Sequence, residues 1–163
     1  MIDDAKEIEK ENQEPLIRWI SFYLGEERYA IEVEGVREIL RINKILPVPG
    51  TASFILGITN IRGSVVTVID GRNRFDLPMK EPGDLSRIIV IEYMDEVIGV
   101  VVDSVADVVD IRMSEINANP KMNAQTSNKS VRGVVTRSEG LIIILDAYKL
   151  ISGDEESDFA VGF

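Results

Sequence analysis

Two aspartates stand where acid–base chemistry would be sought first. Asp70 closes the run Ser64–Ile69 and Asp146 closes Leu141–Leu145, each in front of a short segment that reads as helical. A pair of carboxylates can serve as general acid and base, or each can cap a helix start by accepting backbone N–H groups. Their equivalent placement in a duplicated chain favours capping, since a cap is needed wherever the element recurs. The chain has no His and no Cys. That removes the usual base near neutral pH, thiolate nucleophiles and the common zinc ligands. With no phosphate-cradling glycine loop and no metal-ligand spacing either, the expectation is a protein that is not an enzyme and holds no cofactor or metal.

Two further groups of residues suit recognition. Asn60-Ile61-Arg62-Gly63 lies between two apolar runs. Gly63 fits a position that needs φ > 0, and Asn60 can brace the turn through its side chain. Turn chemistry does not explain Arg62, whose planar fork suits a carboxylate or carbonyl on a partner. The stretch Ile31–Ile42 and its counterpart Val100–Ile111 place Val33, Val36 and Leu40, then Val102, Val105, Ala106 and Val109, at helix-like spacing. Such residues either fill a core or line a groove that accepts an apolar helix. In the groove reading, Arg37 and Glu38 become rim charges.

The elements that must position these residues come in two copies. Arg18–Ile42 aligns without a gap on Arg87–Ile111 at an offset of 69, and Ile55–Phe75 on Val131–Ile151 at an offset of 76. The loops 43–54 and 112–130 absorb the difference. Each copy reads as a hairpin, a helical turn or bent strand, two more strands and a short helix. Isoleucine (22) and valine (18) make up much of the apolar share, and such stiff β-branched side chains suit pleated surfaces. Closing each set of short strands into a barrel removes exposed edges. The expected fold is therefore mostly β, two packed five-stranded barrels with short helices, one barrel per copy.

Charge sits at the ends. Residues 1–16 carry six acids against two lysines, and residues 152–163 carry four acids and no base, so 17–151 is nearly neutral within a total of −10. This distribution argues against nucleic acid, whose binding needs clustered Lys and Arg. No apolar run is long enough to insert in a membrane, and the acidic start is unlike a secretory signal. The expected organisation is an acidic tail over 1–16, a body over 17–151 and a second acidic tail over 152–163. Within the body, one subdomain spans about 17–80, with the chain end packing on it, and the other about 85–151.

The segments GEERYAIEVEGVREIL, TASFILGITNIRGSVVTVIDGRNRF and VIGVVVDSVADVVDI together resemble the CheW family of bacterial chemotaxis coupling proteins, over about residues 17–151. The resemblance implies two SH3-like barrels and a non-catalytic adaptor. Such an adaptor joins the cytoplasmic tips of methyl-accepting chemoreceptors to the regulatory domain of the histidine kinase CheA. It implies a cytoplasmic protein recruited to membrane receptor arrays, with the receptor tip in the groove between barrels. The first barrel would pair with the kinase, and a second kinase contact would close rings. Carried onto this chain, Val36, Glu38 and Arg62 match coupling positions. Val105 and Val108 match the second groove wall beside Val33 and Val102, Gly57, Gly63 and Gly99 match turn glycines, and Met122 matches the second kinase contact. Ile61 departs from the commoner N-L-R-G. Two alternatives remain at this level: a paralogous coupling protein of another motility or developmental kinase pathway, and a hydrolase using Asp70 and Asp146 within about 5–10 Å of each other.

Overall fold

The computed structural model describes residues 14–118 and 130–152. Its elements are β1 (Leu16–Leu24), β2 (Glu27–Glu32), β3 (Val36–Arg41), β4 (Ile55–Ile61), β5 (Ser64–Asp70) and α1 (Gly71–Arg74), followed by β6 (Arg87–Tyr93), β7 (Glu96–Val102), β8 (Ser104–Arg112), β9 (Val131–Arg137), β10 (Gly140–Leu145) and α2 (Ala147–Ser152). Six elements recur in the same order at the expected offsets. The duplication and the mostly-β fold are as read from the sequence.

The strands are not sorted by copy. One sheet has the order β8-β1-β2-β10-β9 and the other β3-β6-β7-β5-β4. Each sheet thus takes the first hairpin of one copy and the last three strands of the other, so the subdomain limits 17–80 and 85–151 do not delimit the sheets. Chain length supplies one reason. Only Asp103 separates β7 from β8, and one intervening residue spans roughly 7 Å. The place beyond β6 in β7's own sheet lies two strand spacings away, roughly 9.5 Å. The chain instead crosses to the other sheet and pairs with β1, as Ile17↔Ile111 and Phe22↔Val105. In the first copy a 3-10 turn, Val33–Gly35, makes the crossing, and β3 pairs with β6 as Val36↔Ile91 and Leu40↔Ile88.

Neither sheet closes through a strand pair. The remaining gap is spanned at one point, where Leu46 and Ile58 exchange backbone hydrogen bonds of 2.8 and 2.9 Å in one sheet, and Asn117 and Val134 two of 2.9 Å in the other. Gly57 and Gly133 sit beside these bridges. A Cβ on Gly57 would fall 2.0 Å from the Leu46 carbonyl oxygen, and one on Gly133 2.7 Å from that of Asn117. Gly57 therefore serves close backbone approach within β4 rather than a turn. Gly99 also lies inside a strand, β7, where a Cβ would meet the Ile88 side chain at 2.8 Å.

Three apolar clusters account for the continuous runs of Ile and Val, which are buried on both faces. Trp19, Ala30, Ile111, Val135, Ile142 and Ile144 fill one barrel. Ile61, Val66, Val68, Ile88, Val90 and Val101 fill the other. The largest cluster lies in the seam between the sheets and includes Phe22, Leu24, Tyr29, Ile31, Ile69, Ile89, Ile91, Val100, Val102 and Leu145, closed by Leu150 and Ile151 of α2.

The helix-like spacing of Val36/Leu40 and Val105/Val109 has a different origin from a helix. The register slips between Val36 and Glu38 against β6, and β8 slips correspondingly against Ile20–Phe22. Such a bulge bends the strand and reverses the face its side chains present. Val36 and Val105 consequently pack on the seam, whereas Leu40 and Val109 pack into the barrels.

Candidate functional site

Asp70 and Asp146 are caps. The Asp70 carboxylate accepts the Arg72 N–H at 3.1 Å, and that of Asp146 accepts the Lys149 N–H at 3.2 Å. Each lies ahead of its own helix, one after a strand of each sheet, which gives the duplicated aspartates a duplicated structural task. Burial, ahead of the opposing Arg72 contacts, raises the Asp70 carboxyl above the ordinary range. Among the described residues no group of three or more metal-binding side chains converges.

The β4–β5 hairpin turns through Arg62 (φ +52°) and Gly63 (φ +86°). Two central residues with positive φ characterise the type I′ turn, whose twist matches that of the flanking strands. The Asn60 side-chain oxygen accepts the Gly63 N–H at 2.9 Å, as the sequence suggested. Arg62 is the costly member of this turn, since a side chain in the left-handed region is disfavoured by about 1 kcal/mol or more. Its guanidinium meets Glu38 of β3 at 3.2 Å, an ion contact without the alignment of a directed hydrogen bond. The Arg62 side chain is 81% exposed and that of Glu38 only 17%. The carboxylate anchors the arginine from below and leaves most of its fork facing outward.

Beside this turn lies apolar surface that the sequence did not disclose. Leu46 and Val65 are largely exposed, and with Asn43, Lys44, Ile58, Thr59 and Asn60 they line an open hollow. Val65 reads as core within the run Val65-Val66-Thr67-Val68. Its register opposite Asn60 at the hairpin's end turns it outward. Leu46 reads as part of a proline-punctuated loop, yet its backbone is held by the bridge to Ile58.

The valines divide. Val102 is fully buried in the seam cluster and cannot wall a groove. Val36 and Val105 pack half-buried against the same cluster, from β3 and β8 in different sheets. Val33 is half-buried on the crossing turn, and Val108 is exposed on β8. Where the two barrels meet there is thus an apolar core with flanking valines. Met122 lies outside the described residues.

A family model described as CheW-like domain matches residues 18–155. The chain is 36% identical over 140 residues to the chemotaxis protein CheW of Bacillus subtilis, spanning 86% of this chain and 88% of that one. It is 30% identical to protein FrzA of Myxococcus xanthus, over 84% of this chain and 86% of FrzA. Among solved structures it is similar to the scaffolding protein TtCheW from Thermoanaerobacter tengcongensis, with TM-score 0.77 and 29% identity, covering 86% of this chain and 95% of that one. With the paired sheets, the bridged barrels and the Asn60–Gly63 turn, these matches show that the chain belongs to the CheW family.

Proposed function

We propose that this chain is a chemotaxis adaptor that couples the cytoplasmic tips of methyl-accepting chemoreceptors to the regulatory domain of the histidine kinase CheA. It acts by binding both and catalyses no reaction. The observation that carries this reading is the face around the β4–β5 turn. There an outward-facing Arg62, tethered by Glu38, adjoins exposed Leu46 and Val65. An arginine fork for orientation beside an aliphatic surface for burial is the composition of a protein-docking face. The named relatives CheW and the scaffolding protein TtCheW support the setting. Val36, Val105 and Val108, flanking or outside the seam, are assigned to the receptor side, with Val33 beside them. Met122 is kept as a second kinase contact.

The adaptor reading places the protein in the cytoplasm, recruited to receptor arrays. Among the described residues no helix is long and apolar enough to cross a membrane. The match to protein FrzA favours one alternative, a coupling protein of a parallel kinase pathway built on the same docking chemistry.

Co-sedimentation with receptor-bearing membranes, with and without CheA, tests the proposal. The chain should pellet with receptors and raise kinase activity only when both partners are present. Leu46→Glu and Val65→Glu, at exposed positions, should abolish kinase binding while leaving the melting temperature unchanged. Sedimentation without kinase stimulation would reject the proposal in favour of another kinase pathway.

A further inference from the structure

The crossing from β7 to β8 is held by an ion pair that has no counterpart at the opposite crossing among the described residues. Asp103, the one residue between these strands, receives the Arg72 guanidinium through Nε at 2.9 and 3.1 Å and Nη2 at 2.8 Å. The same carboxylate accepts the Gly25 N–H at 2.7 Å, and the Asp103 N–H donates to the Tyr23 carbonyl at 3.0 Å. Arg72 Nη1 donates to the Pro78 carbonyl at 2.9 Å. Both side chains are largely buried, with 14% and 28% exposure. One bidentate contact therefore ties the β1–β2 turn of one sheet, the crossing between sheets, helix α1 after β5 of the other sheet, and the linker to the second copy.

The duplication supplies an internal control. The position equivalent to Arg72 is Tyr148, that equivalent to Asp103 is Glu34, and that equivalent to Gly25 is Met94. Glu34 is exposed on a 3-10 turn without a side-chain cap. Tyr148 makes an aromatic contact with Tyr93, at 5.1 Å between ring centroids. One end of the seam is pinned by charge and six directed hydrogen bonds, while beside the other the described ion pair is the exposed Arg37–Glu92 contact at 3.7 Å, which stays within one sheet.

We infer that Arg72 and Asp103 are positioning residues that fix the angle between the two sheets, so that partners bound on different sheets are held in one relation. Deformation on binding is thereby directed to the opposite crossing, Val33–Gly35. This rests on the adaptor reading above. Arg72 and Asp103 lie outside the docking face around Arg62, and their effect is on coupling between sites rather than on either site.

The test uses the full chain with Arg72→Lys, which keeps the charge but loses the fork, and Asp103→Asn, which keeps an acceptor for Gly25. Each should bind the CheA regulatory domain alone and receptor membranes alone within about twofold of wild type, while kinase stimulation in the three-component assembly falls about tenfold, within the usual range of coupling energies. Hydrogen exchange should show protected Gly25 and Asp103 amides in the wild type, both faster in Arg72→Lys, with the Gly25 amide still protected in Asp103→Asn and Val33–Gly35 fast throughout. Loss of both pairwise affinities together with a lower melting temperature would make the pair a structural brace and overturn the inference. So would unchanged stimulation, or a Val33–Gly35 turn as protected as Asp103. If the wild type itself binds neither partner, the adaptor reading fails, and the exchange pattern still reports on the pin.

Discussion

The two sheets share one strand order and one bridge across the gap, yet their hairpin tips behave oppositely. In the sheet containing β4, the turn residue Arg62 is thrust outward in a left-handed conformation. In the other, the turn between β9 and β10 has no positive φ before Gly140, and the neighbouring arginine folds inward. Arg137 donates to the Asp110 carbonyl at 2.8 Å and meets Glu115 at 3.0 Å, at 29% exposure. An arginine thus spans the open gap of each barrel. In one it serves the fold, and in the other it is offered to solvent at a conformational cost. The strand framework recurs in both copies, while hairpin tips and the crossings between sheets differ, so equivalent backbone positions carry different tasks.

The comparison would break first in the seam. If both sheets depend equally on it, Val102→Glu should leave no folded chain. Ile89→Ala should cost about 2–5 kcal/mol, with one coincident transition by far-ultraviolet circular dichroism and Trp19 fluorescence. Two separated transitions would mean that the sheets fold independently. Next come the bridge glycines. Gly57→Ala should cost about 3 kcal/mol or more, because its Cβ would enter the Leu46 carbonyl and its φ is positive. Gly133→Ala should cost less, and urea denaturation gives the order.

The arginines sharpen the contrast further. Arg137→Ala should lose about 1 kcal/mol through the lost contacts to the Asp110 carbonyl and Glu115. Arg62→Ala should leave stability almost unaltered while weakening kinase coupling, and Arg62→Gly should gain about 1 kcal/mol by relieving the turn. Equal losses at both positions would contradict the division of roles. The smallest effects are in acid. Burial alone would raise the Asp103 carboxyl, but the Arg72 and Gly25 hydrogen bonds outweigh it and hold the group below the ordinary range. Its stabilising contribution is therefore complete above the unfolded value of about 4 and fades as pH falls through the folded value. Asp70, raised chiefly by burial, has the opposite slope. Denaturation midpoints from about pH 3 to 5 should show a flatter acid limb for Asp103→Asn and a steeper one for Asp70→Asn.

Much of this was legible in the order of residues. The repeat, the hairpins, the capping aspartates and the Asn60–Gly63 turn are local features, set by period-two patterning and by the need for positive φ. The helical turn or bent strand read over Val33–Leu40 is both in turn, a 3-10 turn at Val33–Gly35 and then a strand whose bulge mimics helical spacing as it changes the face it buries. The Arg72–Asp103 pin was hidden because its partners lie in different copies.

Amino-acid order alone determined that this chain would make two sets of five short strands with apolar faces to cover, since strand period and turn chemistry act over a few residues. Which strands became neighbours was decided only in the tertiary structure. Backbone ladders carry no label of origin, and the Ile- and Val-rich runs of either copy fit either sheet. Short crossings, a bulge on each third strand and the burial of a common seam selected the exchanged arrangement, and with it the residues that face outward to a partner.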